Sequence, residues 1–277
     1  MKTLKRNIII FICVTLLSGW FGVLFDSVLT EQPEGNSLGM GIWLISPSLT
    51  ALILRLVSRD KKGLGIKPNF KGNLKWYALS AGYYPLVMIV CVLMAKLSGC
   101  LDSSTLTING FITLAVASMA AGFIKNIFEE FSWRGYLTPK LIQIKLSDWW
   151  IYIISGAVWG LWHAAYYLVF LPDTYFESIS RPGMILTGCL LMMVWSVMYV
   201  EIYRLTRSVW PCVIMHSAED AVPTALVTVS SCVTFTGKGD LWFNPTTGII
   251  ATVLFLGIGL LLRKIRIQRT SHAGDLP

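Results

Sequence analysis

Apolar runs of about 18–25 residues, separated by short polar breaks, fill most of this chain and limit its fold more than any other feature. A run of that length crosses a bilayer core of ~30 Å as a single helix. In hydrocarbon only a helix or a closed barrel satisfies its own backbone, and barrel strands are shorter and alternate in polarity. Eight runs can be read: Asn7–Phe25, Met40–Leu56, Trp76–Leu97, Phe111–Leu137, Trp149–Leu171, Met184–Tyr203, Pro211–Val229 and Gly248–Leu262. The breaks carry turn chemistry at Glu31–Asn36, Pro172-Asp, Arg181-Pro-Gly and Asn244-Pro. The pattern predicts an all-α, polytopic membrane bundle of about eight transmembrane helices.

Composition agrees. Apolar residues make up 55% of the chain and charged residues 14%, with a mean hydropathy of +0.63 over all 277 residues. That excess excludes a nucleic-acid-binding domain, a disordered protein and a disulfide-rich secreted domain. The net charge of +8 is explained by position. With the N-terminus inside, 19 of the 23 Lys and Arg fall in inner segments, leaving Arg181 and Lys238 outside and Lys96 and Lys125 within runs. This asymmetry predicts a multi-pass integral membrane protein with both termini cytoplasmic. Trp43, Trp76, Trp149, Trp150, Trp210 and Trp242 fall near run ends, where interfacial belts form. Lys2, Lys5 and Arg6 before the first run resemble a signal peptide, but no small-residue cleavage site follows, so the run is read as a permanent helix. The basic loop Arg55–Lys75 suits anionic lipid headgroups, although a topology determinant is the plainer reading. The six cysteines lack metal spacing; Cys100 and Cys232, both expected outside, are the one pair open to bonding. Residues 1–110 read as N-terminal helices with the basic loop, 111–229 as the functional core, and 230–277 as a last helix with a basic tail.

Ionisable groups inside the runs carry the functional signal, since each costs at least ~2.5 kcal/mol at a helix centre unless paired or facing a polar cavity. The fourth run holds Lys125, Glu129, Glu130 and Arg134, the fifth His163, and the seventh His216, Glu219 and Asp220. His272 lies in the polar tail. Residues four apart share a helix face, which stacks Glu130 with Arg134, Lys125 with Glu129, Trp159 with His163 and His216 with Asp220. Glu129 and Glu130 point about 100° apart. One can meet a substrate while the other is tied to Arg134. The plain alternative is a buried polar network that glues helices together. An intramembrane polar cavity holding the set is the reading we carry forward. His163 falls about 14 residues into its run, ~21 Å, and reaches the others only if that helix starts outside the core or tilts.

A carboxylate and an imidazole on one cavity can hold and deprotonate water. A second imidazole can hydrogen-bond the oxyanion formed when that water attacks a carbonyl. These are the parts of an amide hydrolase without a covalent nucleophile. Two His and one Glu are equally a ligand set for catalytic zinc, although HExxH is absent. No cofactor is expected, with zinc as the alternative.

The run Glu129-Glu130-Phe-Ser-Trp-Arg134 matches the EExxxR motif of the CPBP family, intramembrane proteases that include the type II CaaX prenyl endopeptidases. Trp159-Gly-Leu-Trp-His163 resembles its FxxxH motif and His216-Ser-Ala-Glu-Asp220 its HxxxN/D motif, in the family's order. The resemblance spans about 111–229. It implies that Glu129 and His163 activate water, that His216 with Asp220 forms the oxyanion site, and that Glu130 with Arg134 supports the structure. Trp159 replaces Phe. Asp220 stands where eukaryotic members have Asn, and an ionised Asp donates no hydrogen bond, so Asp220 is either protonated or orients His216. The implied partners are the lipid bilayer and a peptide or protein, prenylated or membrane-associated, with no nucleic acid. Short loops point to a prokaryotic plasma membrane. A non-catalytic immunity or scaffold protein is the reading from another class. A transporter is disfavoured by the lack of repeated halves.

Overall fold

In a computed structural model the apolar runs are helical. The structure describes residues 2–29, 33, 36–60, 62–104, 106–176, 179–229 and 232–274. In chain order these form α1 (Lys2–Val28), α2 (Leu38–Ser58), α3 (Leu74–Leu97), β1 (Leu101–Asp102), α4 (Ile108–Ser132), α5 (Thr138–Gln143) and α6 (Asp148–Trp162). There follow α7 (Arg181–Thr206), α8 (Trp210–Glu219), β2 (Thr234–Phe235), α9 (Gly239–Phe243) and α10 (Ile249–Gly274). Leu101 pairs with Phe235 and Asp102 with Thr234, antiparallel. Of the expected turn at Glu31–Asn36, Glu31, Gln32, Glu34 and Gly35 lie outside the described residues, as do Lys61 and the His272 side chain. Cys100 and Cys232 are not joined by a disulfide.

Six helical stretches among the described residues are long and apolar enough to cross a membrane: 2–28, 38–58, 74–97, 108–143, 148–170 and 181–206. They match the first six expected runs, and the chain is an integral membrane protein. The seventh and eighth runs are helical but fall short of that standard. The seventh carries His216, Glu219 and Asp220 and changes helix type at Asp220. The eighth draws Arg263, Lys264 and Arg266 into α10. Thus the described residues supply six such spans where about eight were expected.

Residues 1–65 and 128–196 form one compact unit, and 66–127 with 197–277 a second; α4 belongs to the second up to Ile127 and to the first from Phe128. In the first unit α6 lies against α7 with little side-chain spacing. A Cβ at Gly160 would stand 2.6 Å from the Cys189 Cα, and one at Gly156 would strike the Met193 backbone. Small residues four apart let membrane helices approach this closely. The contact fixes the stretch of α6 that carries Trp159. Phe11 of α1 packs on Tyr136 at 4.8 Å and edge-on to Trp133 at 6.2 Å. In the second unit Tyr84 of α3 meets Phe255 of α10 at 4.7 Å. Glu201, fully buried on α7, accepts from Arg266 Nε at 2.5 Å.

Among the described residues three π-helical turns interrupt the α geometry, at Trp133–Leu137, Tyr166–Phe170 and Asp220–Val229. Each adjoins one of the sequence motifs: the first contains Arg134, the second follows His163, and the third begins at Asp220. Such widened turns are frequent at functional sites because they re-aim the side chains around them.

Candidate active site

The first unit brings together four of the singled-out residues, Glu129, Glu130, Arg134 and His163, around Trp159. Its indole Nε1 donates to Glu129 Oε2 at 3.1 Å. The Arg134 guanidinium lies over the face of the same ring, 4.6 Å from its centre. Its backbone carbonyl lies 2.9 Å from His163 Nδ1. A carbonyl only accepts, so Nδ1 carries the proton and Nε2 is left as the basic nitrogen of the neutral ring. Glu129 and His163, whose depths conflicted in the sequence reading, are therefore joined through one residue. Trp159 is 1% exposed and Glu129 2%.

Glu130 and Arg134 form the pair expected from their spacing. Arg134 Nη1 donates to Glu130 Oε1 at 2.9 Å, and both side chains are fully enclosed. Glu130 thus receives a charge-assisted hydrogen bond at Oε1 inside the protein, the shorter and stronger kind. Its neighbour Glu129 turns to the Trp159 indole instead, as the 100° offset requires.

His163 is half-buried among aromatic rings. Trp162 is edge-on at 4.7 Å, Tyr167 is stacked at 5.5 Å and Trp43 is edge-on at 5.6 Å. Trp43 also stacks on Trp162 at 4.1 Å and donates to its carbonyl at 2.9 Å, so α2 buttresses the His163 turn. These rings restrict how the imidazole can rotate.

The second unit holds Asp220 through side chains of α4. Asn126 Nδ2 donates to Asp220 Oδ2 at 2.7 Å and lies 3.3 Å from Ser217 Oγ. Lys125 Nζ stands 3.3 Å from Oδ1 and 3.2 Å from Oδ2. A Cβ at Gly122 would come within 2.9 Å of Oδ2, so glycine gives the carboxylate its room. In each of these contacts Asp220 is the acceptor. That is the behaviour of an ionised carboxylate. His216, 5% exposed, lies edge-on to Tyr199 at 6.0 Å.

His216, Glu219 and Asp220 offer ligand atoms within 4.8 Å of one another, the group among the described residues best placed to share a cation. This differs from the Glu129, His163 and His216 set read from sequence as a zinc alternative. An ammonium already stands against Asp220, and a dication there would have to displace or repel Lys125.

Sequence reasoning passed over Asn126 and Glu201 and stacked Lys125 with Glu129. A buried amide or carboxylate within an apolar run was the available signal for the first two.

Residues 111–222 match the family model described as Type II CAAX prenyl endopeptidase Rce1-like. The match takes in all three motifs. No curated protein matches the chain.

Proposed function

We propose that this chain, whose residues 111–222 match the Rce1-like family model, belongs to the CAAX-type proteases and is an intramembrane endopeptidase whose attacking water is activated by Glu129 and His163. The observation that carries the proposal is Trp159. Its indole holds the Glu129 carboxylate and its carbonyl sets the His163 tautomer, leaving one carboxylate and one basic imidazole nitrogen on a shared scaffold. Glu129 takes the proton of the water as it attacks the peptide carbonyl. His163 Nε2 accepts a hydrogen bond from that water and orients it, and Glu129 delivers the proton it took to the leaving amine as the tetrahedral intermediate collapses. His216 is the proposed donor to the oxyanion, with Asp220 holding its surroundings as an acceptor. Glu130 and Arg134 support the fold.

The proposed mechanism is metal-free, because Lys125 and Asn126 supply the donors that a bound ion would replace at Asp220. The proposed substrates are peptide or protein tails, prenylated or otherwise membrane-associated, at the cytoplasmic side of a prokaryotic plasma membrane. The test uses purified full-length chain in nanodiscs and a fluorogenic peptide ending in a farnesylated CaaX sequence. Cleavage is expected to persist after exhaustive chelation, with zinc well below one equivalent by elemental analysis. Activity that vanishes on stripping and returns with added zinc would instead support a metalloprotease. An intact, folded chain that cleaves none of a broad panel of membrane peptides would favour the scaffold reading.

A further inference from the structure

The first unit contains a cavity of about 420 Å³ away from the Glu129–Trp159–His163 cluster, lined by Asn7 of α1, Arg59 and Lys62 after α2, and Tyr136, Lys140 and Gln143 around α5. Asp60 lines it too, and two buried cations, Lys140 in the lining and Arg55 behind it, hold Asp60 and the Lys62 backbone in place. Arg55, 7% exposed, donates from Nη1 to the Asp60 and Lys62 carbonyls, each at 3.1 Å, and from Nη2 to the Gly135 carbonyl. Lys140, 2% exposed, bonds the Asp60 carboxylate, whose other oxygen accepts from the Lys62 N–H at 2.8 Å. These bonds pin the turn after α2 and use the Asp60 charge inward. Arg59 closes α2 in the left-handed conformation, φ 51°. The exposed Arg59 guanidinium and Lys62 ammonium have no side-chain partner among the described residues. The cavity thus combines a positive surplus with neutral hydrogen-bonding groups. Leu56 and Val57, which precede Ser58 of its lining, and Ile9 and Ile10, two and three residues after Asn7, present exposed apolar surface.

We infer that this cavity binds the phosphate headgroup of an anionic membrane lipid, with Arg59 and Lys62 taking the phosphate and the lipid chains lying along the outer faces of α1 and α2. The positive surplus selects a phosphate carrying net negative charge. Arg59 and Lys62 follow directly on the end of the α2 span, at headgroup level, where a membrane lipid presents its phosphate together with chains that the exposed faces of α1 and α2 can meet. The inference does not depend on the protease reading.

The test measures thermal unfolding and lipid binding of the full-length chain in neutral detergent. Phosphatidylglycerol, phosphatidylcholine, glycerol phosphate and inorganic phosphate are titrated separately. Phosphatidylglycerol should raise Tm saturably by mass action. Phosphatidylcholine and both soluble phosphates should not. The double variant Arg59→Ala/Lys62→Ala should weaken phosphatidylglycerol binding roughly 10- to 30-fold, with its Tm in phosphatidylcholine unchanged. Lys71→Ala/Lys75→Ala, basic positions outside the cavity, should bind as the parent does. Equal loss in both double variants would mean a diffuse basic surface and overturn the site. Parent-like binding by Arg59→Ala/Lys62→Ala would also overturn it. Equal stabilisation by glycerol phosphate would overturn the lipid assignment.

Discussion

The two units hold their charged groups in different ways. In the first, Glu130 is met by Arg134 one turn on, and His163 is met by the carbonyl of Trp159 one turn back. In the second, Asp220 is met by Lys125 and Asn126, which lie 95 and 94 residues away. The local pairs form as their helices form. The distant ones need α4 and the α8 segment already packed. Enclosure differs as well: the Arg134 and Glu130 side chains are 1% and 0% exposed, those of Lys125 and Asp220 39% and 21%. Removing one partner should therefore be far more damaging for Glu130–Arg134, which water cannot reach, than for Lys125–Asp220.

Arg134→Leu should show the largest loss of stability. It leaves Glu130 buried without its guanidinium, a change that costs about 3–5 kcal/mol, read as lower Tm and lower folded yield. Lys125→Met should cost less, about 1–2 kcal/mol, because Asn126 still donates and water reaches the pair. The double variant Lys125→Met/Asp220→Asn should regain most of that loss. Equal losses for Arg134→Leu and Lys125→Met would break the contrast between the units.

Trp159→Phe sharpens the comparison within the first unit. The ring that faces Arg134 is kept and the indole N–H to Glu129 is lost. One hydrogen bond to a charged group is worth about 1.5–3 kcal/mol. The expected result is a fall in kcat of roughly tenfold or more with Tm within a few degrees of the parent. A fall in Tm with kcat per folded molecule unchanged would reduce Trp159 to packing.

The smallest effect concerns the first unit's own long-range pair, Asp60 with Lys140. Burial pushes the Asp60 carboxyl up. The hydrogen bonds from Lys140 and the Lys62 N–H, with the charges of Lys140 and Arg55, outweigh it and hold the group below its ordinary 3.8. A carboxyl lowered by folding stabilises above its unfolded pKa and loses that contribution as pH falls through the folded value. The stability difference between the parent and Asp60→Asn should therefore be constant from neutral pH to about pH 5 and shrink below about pH 4. Its full size should stay near or under ~1 kcal/mol, as for a partly exposed pair.

This contrast also explains what was legible in the sequence. Helix position and type follow from the apolar runs, and Glu130–Arg134 and Trp159–His163 follow from i, i+4 geometry. Spacing said nothing about Lys125 reaching Asp220, because that pairing is decided by tertiary packing, and Lys125 was assigned to Glu129 by the same local rule. Trp159 was read as a conservative replacement for Phe, a view that counted its ring and overlooked its N–H. Glu201 was passed over because its partner, Arg266, lies 65 residues on and looked like part of a basic tail. The π turns at Trp133, Tyr166 and Asp220 leave no mark in apolar periodicity.

The most direct test of the central claim compares adjacent carboxylates. Glu129→Gln and Glu130→Gln are made in the full-length chain, and kcat on a cleaved peptide is measured alongside Tm. A positioned general base contributes about 10²–10⁴-fold, so Glu129→Gln should lose kcat on that scale with its Tm held, while Glu130→Gln should lose Tm first. Near-parental turnover by Glu129→Gln, or the reverse division of effects between the two, would contradict the account.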